Sequence, residues 1–376
     1  MNLNVFIGFI LLFLAIEQAQ AVPEAIRYGQ FSCTSCHVSP GGAGSLTSYG
    51  REFAAEKLST WTSENAENPV HGLLPLSDRF VLGGDVRSVY FNRKTEGLGS
   101  SSKYWLMNAD LEAAANFGPL WLSLTGGMEP RGPSSSGQEF EGKVRGYFAR
   151  VDLLDDHLSI RGGLFTPKFG LMLSDHTNFV RQASKLPADP EQTQLETIFL
   201  TDRFEATLAL LVENKSFDRE GKSKSGTNIG ISGKIGKSRI NLNVMKTKLS
   251  LESTSSEALV LDTSGVLTFS NKWYGMYEIL KTQNSSKTTE STTKKDELAN
   301  YFSLNYELKK GFIPYVRYEF WDTDLSTKNT SVGRWGAGFM WYPRPHFQFE
   351  GKYSRAIINS AAISINEATG IFHYYF

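Results

Sequence analysis

The chain has 376 residues, with 39 basic and 39 acidic side chains and so no formal net charge. That balance argues against a nucleic-acid binder, which usually carries a basic surplus. Thirty-four glycines and 12% aromatic residues describe a β-rich chain, and past the N-terminus no stretch is apolar and long enough for a spanning helix of about 20 residues.

The first element is a targeting signal. Val5 to Ile16 form an apolar run, and Ala19-Gln20-Ala21 is a small-x-small cleavage site. Residues 1–21 are therefore expected to be a signal peptide, with an N-terminal anchor helix as the competing reading. An exported protein without a spanning helix is either soluble or a β-barrel.

Cys33 and Cys36 are the only cysteines. A pair in an exported protein is by default a disulfide. His37 changes that reading, because Cys33-Thr34-Ser35-Cys36-His37 is the C-x-x-C-H attachment pattern of c-type haem. In that chemistry two thiols add to the two vinyl groups of the porphyrin, and the adjacent imidazole reaches the iron. The expectation is one covalent haem c, held by Cys33 and Cys36 with His37 as metal ligand. A plain disulfide and a thioredoxin-like redox pair compete with it, although the latter lacks its βαβ context. Gly41, Gly42 and Gly44 permit a tight turn under the porphyrin. Residues 51–58 read as a short helix, with Phe53 and Leu58 free to pack on the ring. For the second axial position His71 is the expected metal ligand, the only histidine between the motif and the first strand. Met172 and His176 are weaker candidates. Residues 22–78 thus form the expected haem-binding segment and linker.

From Phe80 onward the chain reads as strands of about ten residues separated by turns, the pattern of a membrane barrel. Sixteen strands are predicted near 80–92, 104–116, 119–127, 141–152, 157–165, 192–200, 203–213, 225–235, 238–247, 258–269, 272–283, 296–308, 312–321, 332–342, 346–354 and 367–376. Alternation is clear in 332–342, where Trp335, Ala337, Phe339 and Trp341 oppose Arg334, Gly336 and Gly338. In 104–115, Trp105, Met107, Ala109 and Leu111 oppose Asn108, Asp110 and Glu112. A soluble sandwich can alternate too. The joins discriminate: short turns such as Gly118-Pro119 and Gly236-Lys237 alternate with long polar loops at 214–224, 284–295 and 322–331. That sorting is the barrel rule and puts both termini in the periplasm. The expected fold class is therefore all-β: a transmembrane antiparallel β-barrel of about 16 strands over 79–376, with a small N-terminal haem-binding helical and loop segment.

Alternation points Asp85, Arg87, Asp110, Glu112, Arg203, Glu205, Arg239, Arg334, Glu350 and Lys352 into the lumen, which then reads as polar with both signs of charge. The longest connection, 166–191, either folds inward or stays on the surface. Long loops without their own strands are often functional. The last strand, with Gly370, Phe372, Tyr374 and Phe376, resembles the terminal signal read by the outer-membrane assembly machinery.

The combination resembles the fused outer-membrane cytochrome–porin proteins, including those of iron-oxidising bacteria. The resemblance rests on the signal peptide, the single Cys33-x-x-Cys36-His37, Pro40, Tyr49-Gly50-Arg51-Glu52-Phe53 and the porin-type strands. Arg161 to Gly170, followed by Asp175-His176-Thr177, also looks like a recurrent porin segment. The resemblance implies a protein of the bacterial outer membrane that moves electrons between an external donor or acceptor and a periplasmic cytochrome or other carrier. The external partner would be a small redox molecule or a metal ion such as ferrous iron. Two other readings stay open: a diffusion porin with a structural or ligand-sensing haem, and haem-based peroxidase chemistry.

Overall fold

The computed structural model describes residues 23–42, 44–63, 65, 67–68, 77, 79–134, 137–173, 175, 177–186, 191–214, 224–250, 254–288 and 291–376. The expected signal peptide, His71 and His176 lie outside the described residues.

All sixteen predicted strands form. They are β1 (Phe80–Thr95), β2 (Gly99–Phe117), β3 (Leu120–Ser134), β4 (Gly137–Leu153), β5 (Leu158–Phe165), β6 (Gln192–Leu200), β7 (Phe204–Leu211) and β8 (Ser225–Ile235). The second half comprises β9 (Ser238–Ser250), β10 (Thr254–Thr268), β11 (Trp273–Thr288), β12 (Thr292–Tyr306), β13 (Phe312–Asp322), β14 (Ser331–Trp341), β15 (Phe347–Ile358) and β16 (Ile363–Tyr375). Each pairs antiparallel with its sequence neighbour, and β16 closes on β1 with Val86 opposite Tyr374. Closure removes the exposed edges that an open sheet would present to lipid.

Leucines, isoleucines and valines alternate outward: Leu122, Leu208, Ile231, Leu242 and Val316 are all exposed. Aromatic residues flank this belt. Phe80, Phe117, Phe204, Phe269 and Trp273 stand exposed near the short-turn end, and Tyr90 and Tyr104 ten or more residues further along their strands. Ten residues of tilted strand span about 25 Å, the height of the apolar band of an outer-membrane barrel.

Three expectations need correction. The 284–295 segment is mostly strand rather than loop, because β11 and β12 continue past the membrane to Thr288 and from Thr292. In β2, Trp105 and Met107 line an interior cavity, on the same side as Asp110 rather than opposite it. A register shift between Arg87 and Ser88 skips Met107, so the alternation changes phase there. Arg203 does not enter the lumen; it lies exposed in the β6–β7 turn.

The interior is not uniformly polar either. One large apolar cluster gathers Met245, Val260, Val266, Tyr274, Met276, Leu280, Ala299 and Ile313 from the inner faces of β9 to β13. Ile26, Phe31, Phe53 and Leu58 of the N-terminal segment pack on it, as do Phe169, Leu171, Val180 and Ala183 of the 166–191 connection. Both non-barrel segments therefore lie inside the barrel, docked on one apolar wall. The connection folds inward and carries a short helix, α2 (Phe179–Ala183), capped by the Asn178 side chain.

A thiol and imidazole cavity inside the barrel

The N-terminal segment is a plug tied to the barrel at many points. Arg27 pairs with Glu307, and the Tyr28 hydroxyl donates to the same carboxylate at 2.9 Å. Arg150 donates to the Val38 carbonyl, and Arg161 to the Ser39 hydroxyl at 2.8 Å. The Ser45 hydroxyl donates to Glu112 at 2.7 Å, and the Arg51 guanidinium to the Leu82 carbonyl at 2.5 Å. Thus several inward charges of the wall satisfy the plug's backbone and hydroxyl groups.

Local geometry brings the motif residues together. A 3-10 turn spans Cys33–Ser35, with the Ser32 hydroxyl capping it. The amides of Cys36 and His37 both donate to the Cys33 carbonyl, at 3.2 and 2.9 Å. The chain then turns back through Gly42 and Gly44, whose φ values of +79° and +87° suit glycine, so that Val38 bonds Ser45. Helix α1 (Ser48–Phe53), continued as a π-turn over Ala54–Leu58, packs on the motif. A Cβ at Gly50 would lie 2.1 Å from the Cys36 carbonyl oxygen, so only glycine permits this approach.

Cys33, Cys36 and His37 line one cavity. Leu46, Phe53 and Leu58 form its plug-side wall, Phe169, Leu171 and Met172 the connection-side wall, and His373 and Tyr375 part of the barrel side. The two thiols are not joined in a disulfide. Burial, then the neighbouring Cys33, pushes the Cys36 thiol up to about 12. A reactive redox pair needs a depressed thiol instead, so the environment runs against the thioredoxin-like reading. His37 is buried, which lowers its imidazole to about 4 against the pull of the Gly44 carbonyl. It is therefore neutral near pH 7. Its Nδ1 lies 3.2 Å from that carbonyl oxygen. This contact fixes the tautomer with the proton on Nδ1 and leaves Nε2 with its lone pair, the usual arrangement of a metal-ligating histidine.

These features fit a c-type haem: two unbonded thiols, a neutral imidazole whose Nε2 lies away from the Gly44 contact, and mostly apolar walls around the space they share. Among the described residues no group of three or more His, Cys, Asp and Glu side chains could hold a metal by itself. A porphyrin brings its own four nitrogens and needs only axial ligands from the chain. The sequence pointed to Cys33, Cys36, His37, Phe53 and Leu58, and the fold brings all five to one cavity. Lys168, Phe169, Leu171 and His373 were missed as cavity residues, since only the inward path of the connection and the closure of β16 on β1 bring them there.

The connection is anchored by charge. Asp175 pairs with Lys352 at 2.7 Å and Arg317 at 2.8 Å. Burial alone would raise its carboxyl, but Lys352 and Arg317 outweigh that and hold it well below the ordinary value. Arg334 donates to the Thr177 carbonyl at 2.8 Å, and Lys185 pairs with Glu297 at 2.7 Å.

The closed sixteen-strand antiparallel cylinder with an apolar outer belt has the fold of the porin-type outer-membrane β-barrels. No protein-family model and no curated protein sequence matches the chain. Solved structures do match in fold. The outer membrane channel DcaP of Acinetobacter baumannii is 10% identical over 85% of this chain and 100% of that one, with TM-score 0.60. Salmonella typhi OmpF, solved in complex with daunomycin, is 12% identical over 80% and 99%, with TM-score 0.60. An anion-selective porin from Comamonas acidovorans is 11% identical over 79% and 99%, with TM-score 0.56. At such identities the likeness concerns architecture.

Proposed function

We propose that this outer-membrane barrel carries one haem c on Cys33 and Cys36, with His37 as iron ligand, and passes electrons between an external donor or acceptor and a periplasmic carrier. One observation carries the reading: both thiols and the neutral imidazole line a single apolar cavity inside the barrel. The haem, when bound, supplies one-electron redox chemistry. The protein's own contribution is placement. The Cys33–Ser35 turn presents both tethers to one space, the Gly44 carbonyl orients the His37 ring, and Phe53, Leu58, Phe169 and Leu171 keep that space apolar. The barrel wall keeps lipid away. Met172 lines the same cavity and would offer its thioether as a further iron ligand; the expected ligand His71 lies outside the described residues. The external partner is a small redox molecule or a metal ion such as ferrous iron, and a periplasmic cytochrome or other carrier completes the path.

The test is electron exchange in intact cells with an external iron complex. Exchange lost in His37→Ala, with the barrel still assembled, supports the reading. Unchanged exchange contradicts it.

A second reading, passage of small solutes, is favoured by a run of interior cavities. One near the loop-end mouth shares Arg93, Thr177 and Glu367 with a second, and that one shares Gln348 and His373 with the thiol cavity. It suits the channel and porin named among the solved neighbours. Reconstituted protein in a planar bilayer separates the two: steady ion conductance supports passage, and a closed barrel with a haem spectrum supports electron transfer.

A further inference from the structure

The thiol cavity has an unbalanced charge. Among the described residues, Lys168, Glu205 and Arg239 are its only lining residues of the Lys, Arg, Asp and Glu types. The Lys168 ammonium lies 2.6 Å from Glu205 Oε1, and the Arg239 guanidinium 2.9 Å from the same oxygen. Two cations thus share one carboxylate. Arg239 is otherwise well used: it donates to Asn241 at 2.6 Å, to the Phe31 carbonyl at 2.6 Å and to Ser232 at 2.9 Å. Lys168 is buried, and the carboxylate occupies only part of its three-donor capacity. Among these three lining groups positive charge exceeds negative by one, and a buried cation is costly unless an anion pairs with it.

We propose that Lys168 and Arg239 form an anion seat that receives a carboxylate of the cavity's occupant. On the reading above, which this inference rests on, that carboxylate is a propionate of the haem. The seat is placed for it. The Ser32 hydroxyl donates to the other Glu205 oxygen at 3.1 Å, and Arg239 holds the Phe31 carbonyl, so the cationic group is fastened to the two residues immediately before the Cys33 tether. A flat apolar ring with carboxylates on one edge matches a cavity with apolar walls of Phe53, Leu58, Phe169 and Leu171 whose charged lining residues gather at this corner. Glu205 keeps both cations in position before the occupant arrives. Lys168 is the adjustable partner, since Arg239 is committed to the plug backbone. Its carbonyl accepts from the Asn228 amide at 2.8 Å, which fixes the root of that side chain.

The experiment compares wild type with Lys168→Met and Lys168→Arg, all full-length and purified from outer membranes. Haem staining after denaturing electrophoresis reports covalent attachment. Resonance Raman spectra of the propionate-bending region and redox titration report the seat. The expected result is staining in all three, a shifted propionate band and a lowered midpoint potential in Lys168→Met, and both restored in Lys168→Arg. The direction follows from charge, because a nearby cation favours the reduced iron. Staining in all three with identical spectra and potentials overturns the seat and leaves the haem reading standing. An unstained wild type overturns both. If Lys168→Met fails to assemble, Lys168→Gln replaces it with the same readouts.

Discussion

The two sides of the barrel interior follow different chemistry. On β9 to β13 the inner face carries an apolar cluster of Met245, Val260, Tyr274, Leu280 and Ile313, on which the plug and connection pack, with Arg239, Glu297 and Arg317 set among it. On β14 to β16 and β1 to β6 the inner face is ionic: Arg87 meets Asp85 at 3.3 Å, Arg161 meets Glu196 at 2.6 Å, and Lys352 holds Asp175. The first side adds a large apolar cluster to a few fixed polar partners, and the second supplies fixed polar partners with little apolar burial. An open aqueous pore needs neither in this form. A lumen that is apolar along one wall is built to be covered, and the thiol cavity forms where its two covering segments meet.

The largest way to break this contrast is to remove the cover. Excising residues 23–63 should expose the apolar wall and open the lumen, so that conductance in a planar bilayer rises severalfold while thermal stability falls. Unchanged conductance would mean that the plug does not fill the pore. On the ionic side, Asp175→Asn leaves Lys352 and Arg317 without their carboxylate. Losing one partner of a buried pair costs about 3–5 kcal/mol, so proteolysis within the 166–191 connection should quicken markedly. On the apolar side, Leu280→Ala should cost about 2–5 kcal/mol in denaturant unfolding, the usual loss for a buried leucine. The lipid-facing Leu242→Ala is the matched control and should cost less, because no packed core is disturbed.

The smallest expected effect is on pH dependence. In haem-free protein, His37 holds its imidazole near 4 in the folded state, against about 6.5 unfolded. Between those values the unfolded chain binds a proton that the folded chain does not. Plug docking should therefore weaken as pH falls from about 6.5 towards 4, by up to about 3 kcal/mol, and then level off. His37→Gln should flatten that slope.

The strands were legible in the sequence because lipid outside and a mixed interior force a period of two. Where both faces are wet, as in Asn284 to Thr288, polarity hides the strand and it reads as loop. Where both faces are apolar, alternation also fails. Ala258-Leu259-Val260-Leu261 is a continuous apolar run, and such runs mark strands buried on both sides. That run was the available signal for the covered wall. The phase change at Met107 had no local signal, since a bulge depends on the partner strand. At the site, Cys33, Cys36 and His37 were legible because their chemistry needs a local spacing. Lys168 and His373 were not, because contacts across 130 residues or more are set by barrel closure and the inward fold of the connection.

The most direct measurement is the mass of the intact protein purified from outer membranes without reductive treatment. The account predicts the mass of the processed chain plus one haem, with the addition mapping to the peptide that holds Cys33 and Cys36. An unmodified chain mass would contradict it and leave a plugged barrel whose cavity serves another occupant.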